Sequence, residues 1–233
     1  MSIETRVPGV LFDLDQTLID RSGSIRAYAR LLFSEHAARF DVGEEDFVRR
    51  FVMLDGNGYV TRPEFFGRLA DAFPGSGLGP EVLEAHFYGN VWEAPRVMPG
   101  AVEGLRVLRE AGVPVGIVTN GGTANQTKKV ERSGLAELID GCFVSEALGV
   151  RKPDPRIFEI AAEAIGIDSR QSWFVGDHPL FDICGSHAVG FRTVWLQGEV
   201  PWPADEPVVH DLAVDTLEMA MQHLRAALAG TAR

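Results

Sequence analysis

The sequence predicts a doubly wound α/β fold: a parallel, Rossmann-like sheet carrying an inserted helical domain. Three observations predict it. Short apolar runs recur, each followed by turn residues. Amphipathic stretches alternate with them from Met98 onward. The long segment 20–97, between the first apolar run and the second, has helical composition throughout.

The apolar runs are "GVLFDLD" (Gly9 to Asp15), "VPVGIVTNGG" (Val113 to Gly122), "DGCFVS" (Asp140 to Ser145), "SWFVGD" (Ser172 to Asp177) and "FRTVWL" (Phe191 to Leu196). Each reads as a strand buried on both faces, as parallel sheets require. Of the helical stretches, "AVEGLRVLREAG" places Val102, Leu105 and Leu108 on one face and stops at Gly112, a residue suited to the left-handed turn after a helix. "DPRIFEIAAEAIG" turns Ile157, Ile160, Ala161 and Ala164 inward and stops at Gly166. A crossover between parallel strands needs only about a dozen residues, so 20–97 is read as an insertion, and 1–19 with 98–233 as the α/β core. Within it, "SIRAYARLLFSEHAARF" spaces Ile25, Tyr28, Leu32 and His36 as a helix does, and "PEFFGRLADAF" does likewise with Phe65, Leu69 and Phe73. "PGSGLGP" (Pro74 to Pro80) is a loop,.

One stretch of the insertion, "MLDGNGYVTRPEFF" (Met53 to Phe66), has part of the spacing of a calcium loop. Asp55, Asn57, Gly58 and Glu64 fall at loop positions three, five, six and twelve,. Position one is Met53, whose thioether is a poor ligand for a hard cation. Thr61 and Glu64 have capping-box spacing instead,, and Gly56 and Gly58 suit a tight turn between two helices.

The chain has 233 residues, 45% hydrophobic and 24% charged, with a net charge of −11. That is the composition of an ordinary globular protein, and its charge argues against nucleic acid, which needs clustered Lys and Arg. The run "KKVER" (Lys128 to Arg132) reads as a solvated helix face. A few local cations can still hold a small anionic substrate. Cys142 and Cys184 sit in apolar surroundings without metal-ligand spacing and read as small buried hydrophobes,. No signal peptide and no membrane span is read in the sequence, and the expected location is the cytoplasm.

Polar groups stand at three expected strand ends. "FDLDQT" carries Asp13 and Asp15 two apart, on one side of an extended chain,, where their repulsion calls for a cation or a shared proton. "TNGG" carries Thr119 and Asn120 at the start of a helix, a natural anion site. "GDHPLFD" carries Asp177 and Asp182. Between the last two lies Lys152, in "VRKPDPRIFE". The loop histidine His178, followed by Pro179, reads as structural.

In that order, "DLDQT", Thr119, Lys152 and "GDHPLFD" resemble the four motifs of the haloacid dehalogenase superfamily, across nearly the whole chain. Its capped phosphatases, of nucleotidase and phosphoglycolate phosphatase type, are similar in "TNGG…ERSGL" and "SEALGVRKPDPRIF", and they carry a helical cap where this chain has its insertion. Gln16 departs from the glycine or aspartate usual there. The resemblance implies a hydrolase of small phosphate esters that works through an aspartyl-phosphate. Asp13 is then the nucleophile and Asp15 the acid and base. Thr119, Asn120 and Lys152 bind the phosphoryl oxygens. Mg²⁺ is held by Asp13, Asp177 and the Asp15 carbonyl, and Asp182 supports the metal or Lys152. It also suggests that Asn57, Tyr59 or Arg62 in the cap loop reads the leaving group. A dehalogenase of the same superfamily needs no acid for a halide, so Asp15 favours phosphate chemistry. A receiver-like signalling domain places its phosphoacceptor on a later strand. Nucleoside monophosphates, sugar phosphates and phosphoglycolate all fit.

Overall fold

The computed structural model describes residues 6–229. The chain forms two units, one comprising the chain up to Asp20 and from Val97 onward, the other Arg21–Arg96.

The first unit is built on six parallel strands, β1 (Val10–Phe12), β2 (Val115–Thr119), β3 (Gly141–Val144), β4 (Trp173–Gly176), β5 (Arg192–Leu196) and β6 (Leu212–Val214), in the order β3-β2-β1-β4-β5-β6. In chain order the helices are α1 (Arg21–His36), α2 (Glu44–Asp55), α3 (Arg62–Ala72) and α4 (Pro80–Asn90) of the second unit, then α5 (Ala101–Glu110), α6 (Thr123–Arg132), α7 (Ser145–Leu148), α8 (Pro155–Ala164), α9 (Gly185–His187) and α10 (Leu217–Ala229) of the first.

Strand alternation decides which helix covers which face. Val10, Phe12, Trp173 and Val175 point to one side and share a core with Leu105 and Leu108 of α5 and Leu217 and Leu224 of α10. Leu11 and Phe174 point to the other and pack on Ile157 and Phe158 of α8. Each fully buried side chain of this size contributes about 1.5–3 kcal/mol, so burial on both faces holds the sheet between its helices.

Several expectations need correction. β1 ends at Phe12 rather than Asp15; Asp13 N–H still donates to Val175 O, after which the chain turns through Gln16 at φ 62°. A non-glycine residue in that region costs about 1–3 kcal/mol, which explains in physical terms why glycine suits the position. β3 is only partly buried, because it is an edge strand. β6 is a further strand, which the sequence reading does not include. In α8 the buried residues are Ile157, Phe158, Ala161 and Ala162, whereas Ile160 is exposed; the apolar stripe is centred about one residue earlier than its spacing suggested. Both cysteines are half-buried rather than buried.

The second unit has an aromatic core in which Phe47, Phe51, Phe65, Phe66 and Phe87 are all buried. At the end of α2, Asp55 is 1% exposed. Its carboxylate accepts from Arg21 Nη2 at 3.0 and 2.8 Å and from Arg62 Nη1 at 2.9 Å. The Arg62 guanidinium lies over the rings of Phe65 and Phe87, 5.5 and 5.0 Å from their centroids, and Asn57 Oδ1 accepts from Arg21 at 3.3 Å. The loop that has calcium-like spacing is thus closed by two guanidiniums on Asp55. Arg62 and Asn57, suggested as substrate contacts, are tied into the same network. Gly58, at φ 82°, lies so close to Arg21 that a Cβ there would come within 2.8 Å of Nη2. Thr61 occupies the N-cap of α3 without a side-chain capping bond, and Glu64 pairs with Arg68 at 2.6 Å instead of closing a capping box.

Candidate active site

The strand register brings the candidate residues together. Phe12 of β1 is level with Ile117 of β2 and Val175 of β4, so Asp13, Thr119 and Asp177 emerge side by side at the carboxyl ends of three adjacent strands. β1 is also where the strand order reverses, the place where open α/β sheets leave a crevice for ligands.

Lys152, between α7 and α8, is 3% exposed and donates to Asp13 Oδ1 at 2.5 Å and to Asp182 Oδ1 at 2.6 Å. Its position is set from behind by Asn120, which donates Nδ2 to the Lys152 carbonyl at 3.0 Å and accepts the Lys152 N–H at 2.9 Å. The Asn120 side chain thus braces the Lys152 backbone at both ends of its amide, while its second amide N–H leaves it a donor. The other Asp182 oxygen accepts from His178 N at 2.9 Å. Gly176 makes room for this: a Cβ there would lie 2.5 Å from Asp182. The loop after β4 is further held by Trp195 Nε1, which donates to the Asp177 carbonyl at 3.0 Å. His178 has the structural task expected of it, its Nδ1 accepting from the N–H groups of Leu180 and Phe181. Burial lowers its pKa, in keeping with a neutral ring that accepts.

Oxygens of Asp13, Asp177 and Asp182 lie within 4.8 Å of one another. Burial above all, relieved by Lys152 but reinforced by Asp182, pushes the Asp13 carboxyl up to about 7. Burial and then the Asp182 and Asp13 charges push Asp177 up to about 9. For Lys152, burial alone would lower the pKa, but the Asp13 and Asp182 carboxylates reverse this and raise it, so the ammonium stays charged. Three crowded carboxyl groups beside one lysine are a cluster of oxygen donors that resist ionising together without a further cation, the donor set that a hard divalent cation such as Mg²⁺ takes. The residues present fit the ion.

Asp15 has a different partner. Lys129 of α6 is 3% exposed, and its Nζ lies 2.7 and 2.6 Å from the two Asp15 oxygens. Gln126, buried on the same helix, donates to Asp15 Oδ2 at 3.1 Å and to Thr119 Oγ1 at 2.6 Å. The solvated face read into "KKVER" is therefore wrong for Lys129. A signal was present: Gln126, Lys129 and Val130 share one helix face, and all three are buried. Outside this group, Ser145 and Glu146 brace the turn after β2, accepting from Gly121 N at 3.0 Å and Thr123 N at 2.7 Å.

Residues 7–190 match the family described as haloacid dehalogenase-like hydrolase. The chain belongs to that family. Among its relatives, a glyceraldehyde 3-phosphate phosphatase of Pyrococcus abyssi is 37% identical over 81% of this chain and 80% of its own length. The pyrimidine 5'-nucleotidase YjjG of Escherichia coli is 32% identical over 80% of this chain and 84% of its own. Of solved structures, the HAD-hydrolase YfnB from Bacillus subtilis, bound to magnesium, has the same fold at a TM-score of 0.72 and 24% identity, covering 94% of this chain and 99% of that one. The chain is thus a hydrolase of phosphatase type within this family. Among the described residues no helix is long and apolar enough to cross a membrane.

Proposed function

We propose that this family member is a Mg²⁺-dependent phosphomonoesterase acting on a small phosphorylated metabolite, a sugar phosphate or a nucleoside monophosphate, through a phosphorylated Asp13. One observation carries the reading: the buried group of Asp13, Asp177 and Asp182 around Lys152 at the carboxyl ends of β1 and β4. Asp13 and Asp177, with the Asp15 carbonyl, would hold the cation. When bound, the ion offsets charge between the attacking carboxylate and the phosphoryl oxygens.

In the first half of the reaction an Asp13 oxygen forms a bond to phosphorus as the ester oxygen departs, and Asp15 gives that oxygen its proton. In the second half Asp15 takes a proton from water as the water oxygen attacks phosphorus. Phosphate is released and the Asp13 carboxylate restored. Lys152 and the Thr119 hydroxyl stabilise the charge that builds on the non-bridging oxygens. Asp182 orients Lys152 by its 2.6 Å bond, and Asn120 holds the lysine backbone. The helical unit is assigned the choice of leaving group.

Asp13→Asn should abolish phosphate release, because an amide cannot take the nucleophile's place. Chelator should silence the wild type and Mg²⁺ restore it. Phosphate and halide release measured side by side decide between this reading and a dehalogenase: halide release that survives chelation would overturn it.

A further inference from the structure

Lys129 and Gln126 lie inside the site, and the chemistry proposed above gives neither of them a task. A lysine is rarely buried, and taking an ammonium out of water is costly unless a partner compensates. Immobilising so long a side chain costs rotamer freedom as well. Here Asp15 supplies compensation through both carboxylate oxygens, at 2.7 and 2.6 Å. Gln126, one turn earlier on α6, fixes one of those oxygens and joins it to the Thr119 hydroxyl. Gln126 is itself backed by Gly121, where a Cβ would fall 2.9 Å from its Cδ. Two groups at i and i+3, on one face of one helix, thus hold the carboxylate that reacts with the leaving group.

We propose that Lys129 and Gln126 are positioning residues for Asp15, holding its carboxylate where it meets the leaving oxygen. This rests on the reading of Asp15 as acid and base. Lys129 restrains both oxygens and so sets the orientation of the carboxyl plane. Gln126 keeps that plane in register with Thr119, so that the proton donor and one phosphoryl-binding hydroxyl are placed by the same helix. Neither side chain needs to touch substrate.

The test uses the full chain with Mg²⁺ and two substrates, p-nitrophenyl phosphate, whose leaving group departs without help, and an alkyl phosphate, whose leaving group needs a proton. The readout is kcat/KM, which covers only the steps through departure of the leaving group. Lys129→Met keeps the apolar stem and removes the ammonium. It should lower kcat/KM for the alkyl phosphate by about 10²-fold or more, the scale of general acid catalysis, and for p-nitrophenyl phosphate by less than about threefold. Asp15→Asn should show the same selectivity, and Asp15→Asn with Lys129→Met should be no slower than Asp15→Asn alone, since the lysine acts only through the carboxylate. If Lys129→Met does not fold, Lys129→Gln, which keeps one donor, should show the same selectivity in weaker form. Equal losses on the two substrates, or losses that multiply in the double variant, would overturn the positioning role. If Asp15→Asn itself shows no leaving-group selectivity, the acid reading falls and takes this one with it. Selectivity in Asp15→Asn with none at position 129 removes the positioning role alone.

Discussion

At the scale of single residues, the site is governed by too many carboxylates for the cations beside them. Asp13 rises to about 7 and Asp177 to about 9, against about 3.9 for an aspartate in an unfolded chain. Because the folded values are raised, the native protein binds more protons than the unfolded chain between those limits. Stability is then highest below about pH 4 on this account and is lost as pH rises toward 7 and 9. Chelated protein should melt at progressively lower temperature from pH 5 to pH 9. Mg²⁺ binds the ionised carboxylates and must displace their protons, so the Tm gained on adding it should grow over the same range. Thermal melts with chelator and with Mg²⁺ check both statements, and Asp177→Asn should flatten the chelated curve. A Tm gain independent of pH would mean that these carboxylates are already ionised without the ion.

Among elements, the loop between α2 and α3 makes the clearest case for reading partners as well as spacing. Asp55 is held by Arg21 and Arg62, whose side chains are 7% and 23% exposed. Removing the carboxylate leaves a buried guanidinium without its counterion, a loss of about 3–5 kcal/mol. Asp55→Ala should therefore lower the urea midpoint of the helical unit strongly, whereas Arg62→Ala, which leaves Arg21 in place, should cost less. Calcium should leave the Tm of the wild type unchanged. A calcium-dependent rise that disappears in Asp55→Ala would restore the calcium-loop reading. The same comparison applies to α6: its sequence looks like a charged surface helix, yet Lys129 and Gln126 turn inward because the partner they need, Asp15, lies more than a hundred residues away.

For the whole molecule, the net charge of −11 opposes an anionic substrate at long range, so binding has to come from local cations of the site. We propose that the helical unit, which has its own aromatic core, discriminates among substrates. In its inter-helix loop Arg62 and Asn57 are tied to the Asp55 network, while Tyr59 is 58% exposed. Tyr59→Ala should change kcat/KM unequally among sugar phosphates and nucleoside monophosphates and leave Mg²⁺ dependence alone. A panel of phosphate esters with free-phosphate detection reads this directly. A uniform loss across the panel would assign Tyr59 to stability instead.

The sequence by itself determined the parallel sheet, the helical insertion and the carboxylates at the strand ends, because apolar runs, helical spacing and Asp13, Asp15 and Asp177 are local patterns. Lys152, which its own surroundings in the sequence mark only as a surface lysine, was singled out by its order among the motifs, and only the structure shows it buried. Contacts between distant segments were decided only by tertiary structure. The spacing of Gln126, Lys129 and Val130 marks one face of α6, but only the packing of that helix shows that this face meets Asp15. That the Asn120 amide bonds the Lys152 backbone at both ends is likewise visible only in the fold. Strand β6, an apolar triplet, is identified by its parallel pairing with β5. Burial and pairing depend on what lies across the fold, and periodicity along the chain reports only which face a residue is on.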